Sequence, residues 1–498
     1  MRQWPVDPRV YEINTRVWLA ELSRQHGRVL TLDAVPDTEL SALAALGFDA
    51  VWLMGVWTSG AAPTAEARRP DLMTEWRRAL PDAQAEDVVA SPYAISAYEV
   101  SETLGGDAAL RGLRERLAGH GLRLLLDFVP NHTACDHPLV LAQPNVYVRG
   151  TEDDLRRDPG SFFRTRDGVV LAHGRDPYFP AWTDTAQINY GHAEGRAALR
   201  DILMRVAGQC DGVRCDMAML LLPDVIERVW GARLEGAWVR ECFWAEVIQH
   251  VRARHDAFLF IAEAYWGLEP RLQADGFDYT YDKSLYDHLC HGDVATVRRD
   301  LQRPVEAQRR DARFTENHDE PRAATALGGN ARAAAVVTYL SPGFKLLHEG
   351  QLEGRRVKVP VQLARRPYEP IDAGMKAFYQ QLLAILREPA FRDGDFVPIE
   401  TTPAGPGDGS HEQLVAFFRG ATMSSGPELG WLAVANLGPT RAYARIRLPL
   451  PFDPGRAYCF DDRLNGPLYD REGRELLDPG LFVALDAGAS HVFAVEPR

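Results

Sequence analysis

Short apolar runs alternate with longer amphipathic stretches through residues 1–391 of the chain. The runs are RVYEIN (9–14), DAVWLM (49–54), LRLLLDFV (122–129) and DGVRCD (211–216). They continue with AFLFIAEA (257–264), FDYTYD (277–282), ARFTENHD (312–319) and GFKLLHEG (343–350). Their length and apolar density predict buried strands. Between them, DAALRGLRERLAGHG and GRAALRDILMRVAGQC are apolar at i, i+3, i+4 and i+7, which predicts amphipathic helices. Eight strands, each followed by a helix, predict an α/β fold, a closed parallel (β/α)8 TIM barrel. A doubly wound open sheet would show fewer strands and a Gly-rich first turn, which is absent.

Two intervals break this rhythm. Residues 133–190 follow the third strand, are rich in Pro, Gly, Asp and Arg, and read as a functional insertion between barrel segments 1–132 and 191–391. From residue 392 the texture changes to LVAFFRG, GWLAVANLG, YARIRLPL, AYCFDD, LFVALDAG and HVFAVEP. Such short alternating strands between turn residues predict a C-terminal antiparallel β-sandwich over 392–498. TTPAGPGDGSHEQ (401–413) reads as a mobile loop within it.

Composition narrows the function classes. A chain of 498 residues is long for one core, and several domains are expected. The net charge of −13 and the lack of a basic block argue against a nucleic-acid partner. No run of 18 apolar residues predicts a membrane span, and the N-terminal segment lacks the apolar core of a signal peptide. A cytoplasmic location is expected. The six cysteines are scattered, without C-x-x-C or zinc spacing, and most of them read as buried free thiols.

The strand ends carry chemistry. In GVRCDMAMLL, Arg214 and Asp216 share strand parity and face the same side. A buried charged pair costs several kcal/mol unless both partners are satisfied. Alone it would read as a structural ion pair. The neighbouring strand ends change that reading: Asp127, Asn131 and His132 leave the third strand, Glu263 the fifth, and Asn317, His318 and Asp319 the seventh. Reacting groups of such barrels sit at the C-terminal strand ends, and four carboxylates converging there repel one another unless function requires them. Carboxylates and histidines without a phosphate cradle or nucleophilic cysteine suit glycoside cleavage, which needs one carboxylate nucleophile and one protonated carboxyl acid. Arg214 is expected to lower the pKa of Asp216 and keep it ionised, while Glu263, among like charges, stays protonated.

DFVPNH (127–132), GVRCD (212–216), FIAEAYW (260–266) and ENHD (316–319), in this order, resemble the four signature regions of the α-amylase family of retaining glycoside hydrolases and transglycosylases. The resemblance implies Asp216 as nucleophile, Glu263 as acid/base and Asp319 as transition-state stabiliser. It implies that His132, Arg214 and His318 grip the glucosyl unit at the cleaved bond and that Tyr93 stacks on it. WTDTAQINY (182–190) resembles a fifth region, with Gln187 and Asn189 in place. Asp127 is a further substrate-binding candidate, and Asn131 either ligates a structural calcium or only hydrogen-bonds. No cofactor is otherwise required. Trp182, Trp266 and Tyr265 are sugar platforms or core residues.

The pattern also departs from the family. Met219 and Leu220 stand where starch-cleaving members carry Lys-His. NHDEPR resembles exo-acting α-glucosidases, with Arg322 in place as a substrate contact, yet their partner aspartate is Ala90 here, and Ala97 replaces another aspartate of the pattern. HEGQLEG offers His348 and Gln351 as rim residues. The reading that results is a retaining, α-glucosidase-like hydrolase of short oligosaccharides acting through a covalent glycosyl-enzyme on Asp216. The alternative is a glycosyl transferase or sugar isomerase using the same residues. A non-catalytic carbohydrate-binding relative would be expected to lack one of the three acids, and all three are present. The partner is a small α-glucoside rather than nucleic acid or membrane; linkage and oligomeric state are left open.

Overall fold

Eight strands close into the parallel barrel that the apolar runs predict: β1 (Arg9–Asn14), β2 (Ala50–Met54), β3 (Arg123–Phe128), β4 (Gly212–Cys215), β5 (Leu259–Ala262), β6 (Tyr279–Tyr281), β7 (Asp311–Arg313) and β8 (Phe344–His348). They neighbour one another in chain order, and β8 closes on β1. The computed structural model describes residues 3–234, 241–420 and 429–498.

Strand parity sorts the side chains. Val10, Trp52, Leu125, Ile261, Ala312 and Leu346 fill the barrel interior, whereas Tyr11, Ile13, Leu124, Leu126, Val213, Phe260 and Leu347 face outward into the layer under the helices. Gly212 sits where a Cβ would come within 2.7 Å of Leu125 and Leu259, so the narrow interior leaves no room for a side chain at the start of β4. Toward the C-terminal ends the same inward register turns polar, giving Glu12, Asp127, Arg214, Glu263 and His348. The periodicity that packs the core therefore also aims the charges.

The insertion is built of short pieces. A ribbon pairs His132–Ala134 with Thr185–Gln187, and a second pairs Phe162–Arg164 with Val170–Ala172. At the C-terminal end, β9 (Phe396–Ile399), β10 (Thr401–Pro403), β11 (Leu414–Gly420), β12 (Gly430–Asn436), β13 (Ala442–Ile446), β14 (Ala457–Asp462), β15 (Leu468–Glu472), β16 (Leu481–Leu485) and β17 (Ser490–Pro497) form two antiparallel sheets. Their orders are β9-β11-β12-β17-β14-β15 and β10-β13-β16. Leu414, Ala416 and Phe418 of β11 face the small sheet, while Val415 and Phe417 pack toward the barrel beside the buried helix Ala331–Leu340.

Two expectations change here. The segment 401–413, read as a mobile loop, begins with strand β10 and ends in a 3-10 turn at Ser410–Gln413. Arg298 fastens it by hydrogen bonds to Thr401 Oγ1 (3.1 Å) and the His411 carbonyl (2.6 Å). Its turn residues masked a strand only three residues long. Of the six free cysteines, Cys210, Cys215 and Cys459 are buried and the other three are partly exposed. Among the described residues no helix is long and apolar enough to cross a membrane.

Candidate active site

Asp216 and Glu263 each follow the last residue of their strand, and their backbone N–H groups continue the ladder, to Phe128 O (2.9 Å) and Cys215 O (3.1 Å). Both side chains are buried at the floor of a cavity of about 350 Å³ at the C-terminal end of the barrel. Its lining includes Tyr93, His132, Trp182, Asp216, Glu263, Tyr265 and Asp319. Two larger cavities, about 470 and 520 Å³, lie at the opposite end of the barrel around Trp4 and Phe258. Asp278 there is paired with Arg252 (2.8 Å) and Asp211 with Arg114 (2.6 Å).

Arg214 lies fully buried beneath the pair. One Nη is 2.8 Å from Asp216 Oδ1 and the other 2.8 Å from Glu263 Oε2. Asp127 and Asp319 lie farther from the same guanidinium, at 3.5 and 3.8 Å. Glu263 is further held by the Met217 N–H (2.6 Å) and the Tyr265 hydroxyl (2.8 Å). Met217 adopts φ 43°, a left-handed conformation that costs a non-glycine residue about 1–3 kcal/mol. That turn is what directs its N–H at Glu263.

The charge distribution differs from the sequence expectation. Asp216 does not have a lowered pKa: burial, followed by the Glu263 charge, pushes it up to about 8 against the pull of Arg214. The expectation failed because it assigned Arg214 wholly to Asp216, whereas the guanidinium is shared. Asp216 therefore resists ionisation at neutral pH, with burial as the first cause and the Glu263 charge as the second.

His318 sits between acids. Its Nδ1 bonds Glu12, and its Nε2 meets Tyr93 Oη at 2.6 Å and Asp319 Oδ2 at 2.9 Å. Burial opposes its charge, but Asp319 and then Glu12 raise its pKa to about 10, making the ring an imidazolium. Asp319 in turn is held below the ordinary carboxylate range, with His318 and Arg214 overcoming its desolvation. Its side chain is 43 % exposed at the pocket rim. Asn317 shapes the turn that presents it, accepting the N–H groups of Asp319 and Glu320, both at 2.9 Å. Burial lowers His132 to about 4, leaving a neutral ring tilted against Trp182 at 5.0 Å. The Tyr93 ring stacks on His318 at 5.4 Å.

Several candidates lie elsewhere. Asp127 is absent from the lining; it accepts from Trp52 Nε1 (3.2 Å) beneath the floor, where burial raises its pKa to about 6. In register with Arg214 on the neighbouring strand and 3.5 Å from its guanidinium, it supports Arg214 beneath the cavity. Arg322 is likewise turned away, donating to Glu316 (2.6 Å), His348 (2.8 Å) and the Glu349 carbonyl (2.8 Å). His348 belongs to that buried cluster, and Gln351 donates to the hydroxyls of Thr315, Tyr339 and Tyr379, so neither is a rim residue. Asn189 caps the turn at Gly191 (2.9 Å). Met219 and Leu220 are buried away from the cavity, and Met217 lines it instead.

Asn131 takes the hydrogen-bonding role that the sequence offers beside calcium ligation. Its amide and that of Gln187 hydrogen-bond each other, at 3.2 Å and 3.1 Å. Calcium takes about six to eight oxygen ligands, and among the described residues no group of three or more acidic, histidine or cysteine side chains could hold a metal.

The cavity also recruits residues that the sequence reading passed over: Asp176 and Asp184 from the insertion, and Gln362 from the segment after β8. Long irregular segments carry no periodicity to mark which residue turns inward. Glu12 is different: an acid at an inward position of a buried strand is the same signal that exposed Arg214, and it was legible in RVYEIN.

No family model matches the chain. It is 27 % identical over 429 residues to "Alpha-amylase MalA" of Haloarcula japonica, a match covering 84 % of this chain and 54 % of that protein. It is 21 % identical over 318 residues to "Alpha-amylase 3" of Dictyoglomus thermophilum, covering 58 % of each. The chain thus spans little more than half the length of these curated relatives. An α-amylase structure from Lactobacillus plantarum superposes with a TM-score of 0.65 at 20 % identity, covering 98 % of both chains, which establishes the shared fold. The chain therefore has the fold of an α-amylase and is similar in sequence to two curated α-amylases, and the regions that resemble the α-amylase signatures converge on one cavity.

Proposed function

We propose that the protein is a retaining glycoside hydrolase that cleaves α-glucosidic bonds in short oligosaccharides. The observation that carries this reading is the pairing of Asp216 and Glu263 on the two Nη atoms of one buried guanidinium, at the floor of a sugar-sized cavity. Sharing one guanidinium supports a short separation between the two carboxyls, which a retaining enzyme needs.

In this mechanism Asp216 attacks the anomeric carbon while Glu263 gives its proton to the departing glycosidic oxygen. The glycosyl-enzyme ester is then opened by a water that Glu263 deprotonates. Because burial and the Glu263 charge raise Asp216 to about 8, the mechanism requires Asp216 to give up its proton before it attacks. Asp319, paired with the His318 imidazolium at 2.9 Å, lines the cavity where the ring hydroxyls would lie, Tyr93 offers an apolar face, and neutral His132 can donate or accept. Five carboxylates line the cavity without a lysine or arginine among the lining side chains, which favours neutral sugars over anionic ones.

A volume near 350 Å³ is at the small end of ligand sites, which span roughly 300–1,000 Å³. With Met219 and Leu220 turned into the core, no lysine-histidine pair meets a leaving chain, so kcat/KM should be higher on di- to tetrasaccharides than on soluble starch. A product-resolved screen of disaccharides, maltooligosaccharides and starch tests this. Glucose and short maltosaccharides as main products support hydrolysis, longer transfer products support the glycosyl transferase alternative, and starch equal to or better than maltotriose contradicts the short-substrate reading.

A further inference from the structure

We propose that Glu12 is a positioning residue of the catalytic centre, fixing the His318 ring from inside the barrel and, through that ring, orienting Asp319 and Tyr93. This rests on the glycosidase reading above. Glu12 is fully buried on β1, in register with Trp52 of β2 and His348 of β8. One oxygen accepts from His318 Nδ1, and the other has no hydrogen-bond partner. A buried carboxylate left half-satisfied is a poor device for stability, since an uncharged residue of similar volume would avoid its desolvation. Its position is explained by what the ring does on its other side. Nε2 lies 2.9 Å from Asp319 and 2.6 Å from the Tyr93 hydroxyl, so both cavity-lining groups are referenced to one imidazole edge.

An acid on one ring nitrogen fixes both the proton and the plane of the ring, the logic by which a buried aspartate serves a catalytic histidine. With Glu12 charged, His318 carries a proton on each nitrogen, and the Nε2 proton is available to Asp319. With Glu12 neutralised, the ring loses its inner anion and that donor is no longer assured. The surrounding charges agree. Around Glu12 stand His318, His348, Asp319 and, from β3, Asp127. Around His318 stand Glu12, Asp319, the Tyr93 hydroxyl and the edge of Trp52 at 5.5 Å. His348 is already bonded to Arg322 (2.8 Å) and Glu316 (3.2 Å), which leaves His318 as the hydrogen-bond partner of Glu12.

The test is Glu12→Gln in the full chain, an isosteric change that removes charge and keeps an acceptor. Histidine-15N labelling follows the His318 ring, assigned by its loss in His318→Gln. The wild-type ring should stay protonated through neutral pH, and in Glu12→Gln it should titrate lower by about a unit or more. On an aryl α-glucoside and on maltotriose, kcat should fall on the order of 10²-fold with a much smaller change in KM, and Glu12→Asp should recover part of the loss. An unmoved His318 titration, or a variant that loses thermal stability but keeps wild-type kcat, overturns the proposal. Should the wild-type protein turn over no α-glycoside, the glycosidase reading fails, and the ring titration by itself still upholds or refutes the Glu12–His318 link.

Discussion

Asp216 and Glu263 face one guanidinium between them, so full ionisation of both leaves an uncompensated negative charge in a buried site. Burial and Glu263 together hold Asp216 at about 8. An acid whose pKa rises on folding binds more protons in the folded state, so above the unfolded value near 3.8 it makes stability fall as pH rises toward 8. Asp216→Asn should therefore unfold at a higher temperature than the wild type, by about 1–3 °C, with a gain that grows between acidic and mildly alkaline pH in thermal melts. The same substitution should cost on the order of 10⁴-fold or more in turnover. Glu263→Gln should be nearly as damaging on maltosaccharides and much milder on aryl glycosides with good leaving groups, which need little acid help; equal damage on both would remove Glu263 from the acid role. At this scale the sequence exposed identity better than charge state. Arg214, Asp216, Glu263, His318 and Asp319 were legible from strand parity and motif. The sharing of Arg214 was not, because it depends on two strands meeting in register.

The insertion and the segment after β5 meet as elements at the cavity rim. Asp176 lines the cavity and accepts the N–H groups of Tyr178 (2.6 Å) and Phe179 (2.9 Å), a turn that presents both rings to solvent at 60 % and 69 % exposure. Trp266, 40 % exposed and at φ 66°, meets Tyr178 edge-on at 4.9 Å. Core packing is excluded for Trp266, whereas Trp182 and Tyr265 are partly buried and line the cavity. On the proposed function, exposed aromatic rings beside this cavity would offer apolar faces to further sugar units. Trp266→Ala should raise KM on maltotetraose several-fold and leave an aryl α-glucoside unchanged; equal effects on both would mean that it shapes the cavity itself. The strands of the barrel were legible because two-residue parity and apolar runs coincide. The rim was not, because its geometry is set by Asx turns and positive-φ residues inside a segment without period.

Across the whole molecule, the C-terminal sheets and the barrel share a core. Phe417 and Trp431 of the larger sheet pack into the same cluster as Tyr339 and Leu382, and Arg298 ties the far edge to the barrel side. Phe417→Ala should cost about 3–5 kcal/mol and lower one common unfolding transition in calorimetry; two separated transitions would show that the sheets fold independently of the barrel. The change of texture near residue 392 made the β-structure legible, but its burial on both faces was not, since outward-facing positions of an antiparallel sheet are usually read as solvated. All of these parts bring two carboxyls together over one arginine, and the stereochemistry of the product reports that arrangement most directly. Early-time proton NMR of an α-glucoside digest should show the α-anomer first, relaxing later to the equilibrium mixture. A β-anomer formed first would contradict the retaining mechanism and the role of Asp216 with it.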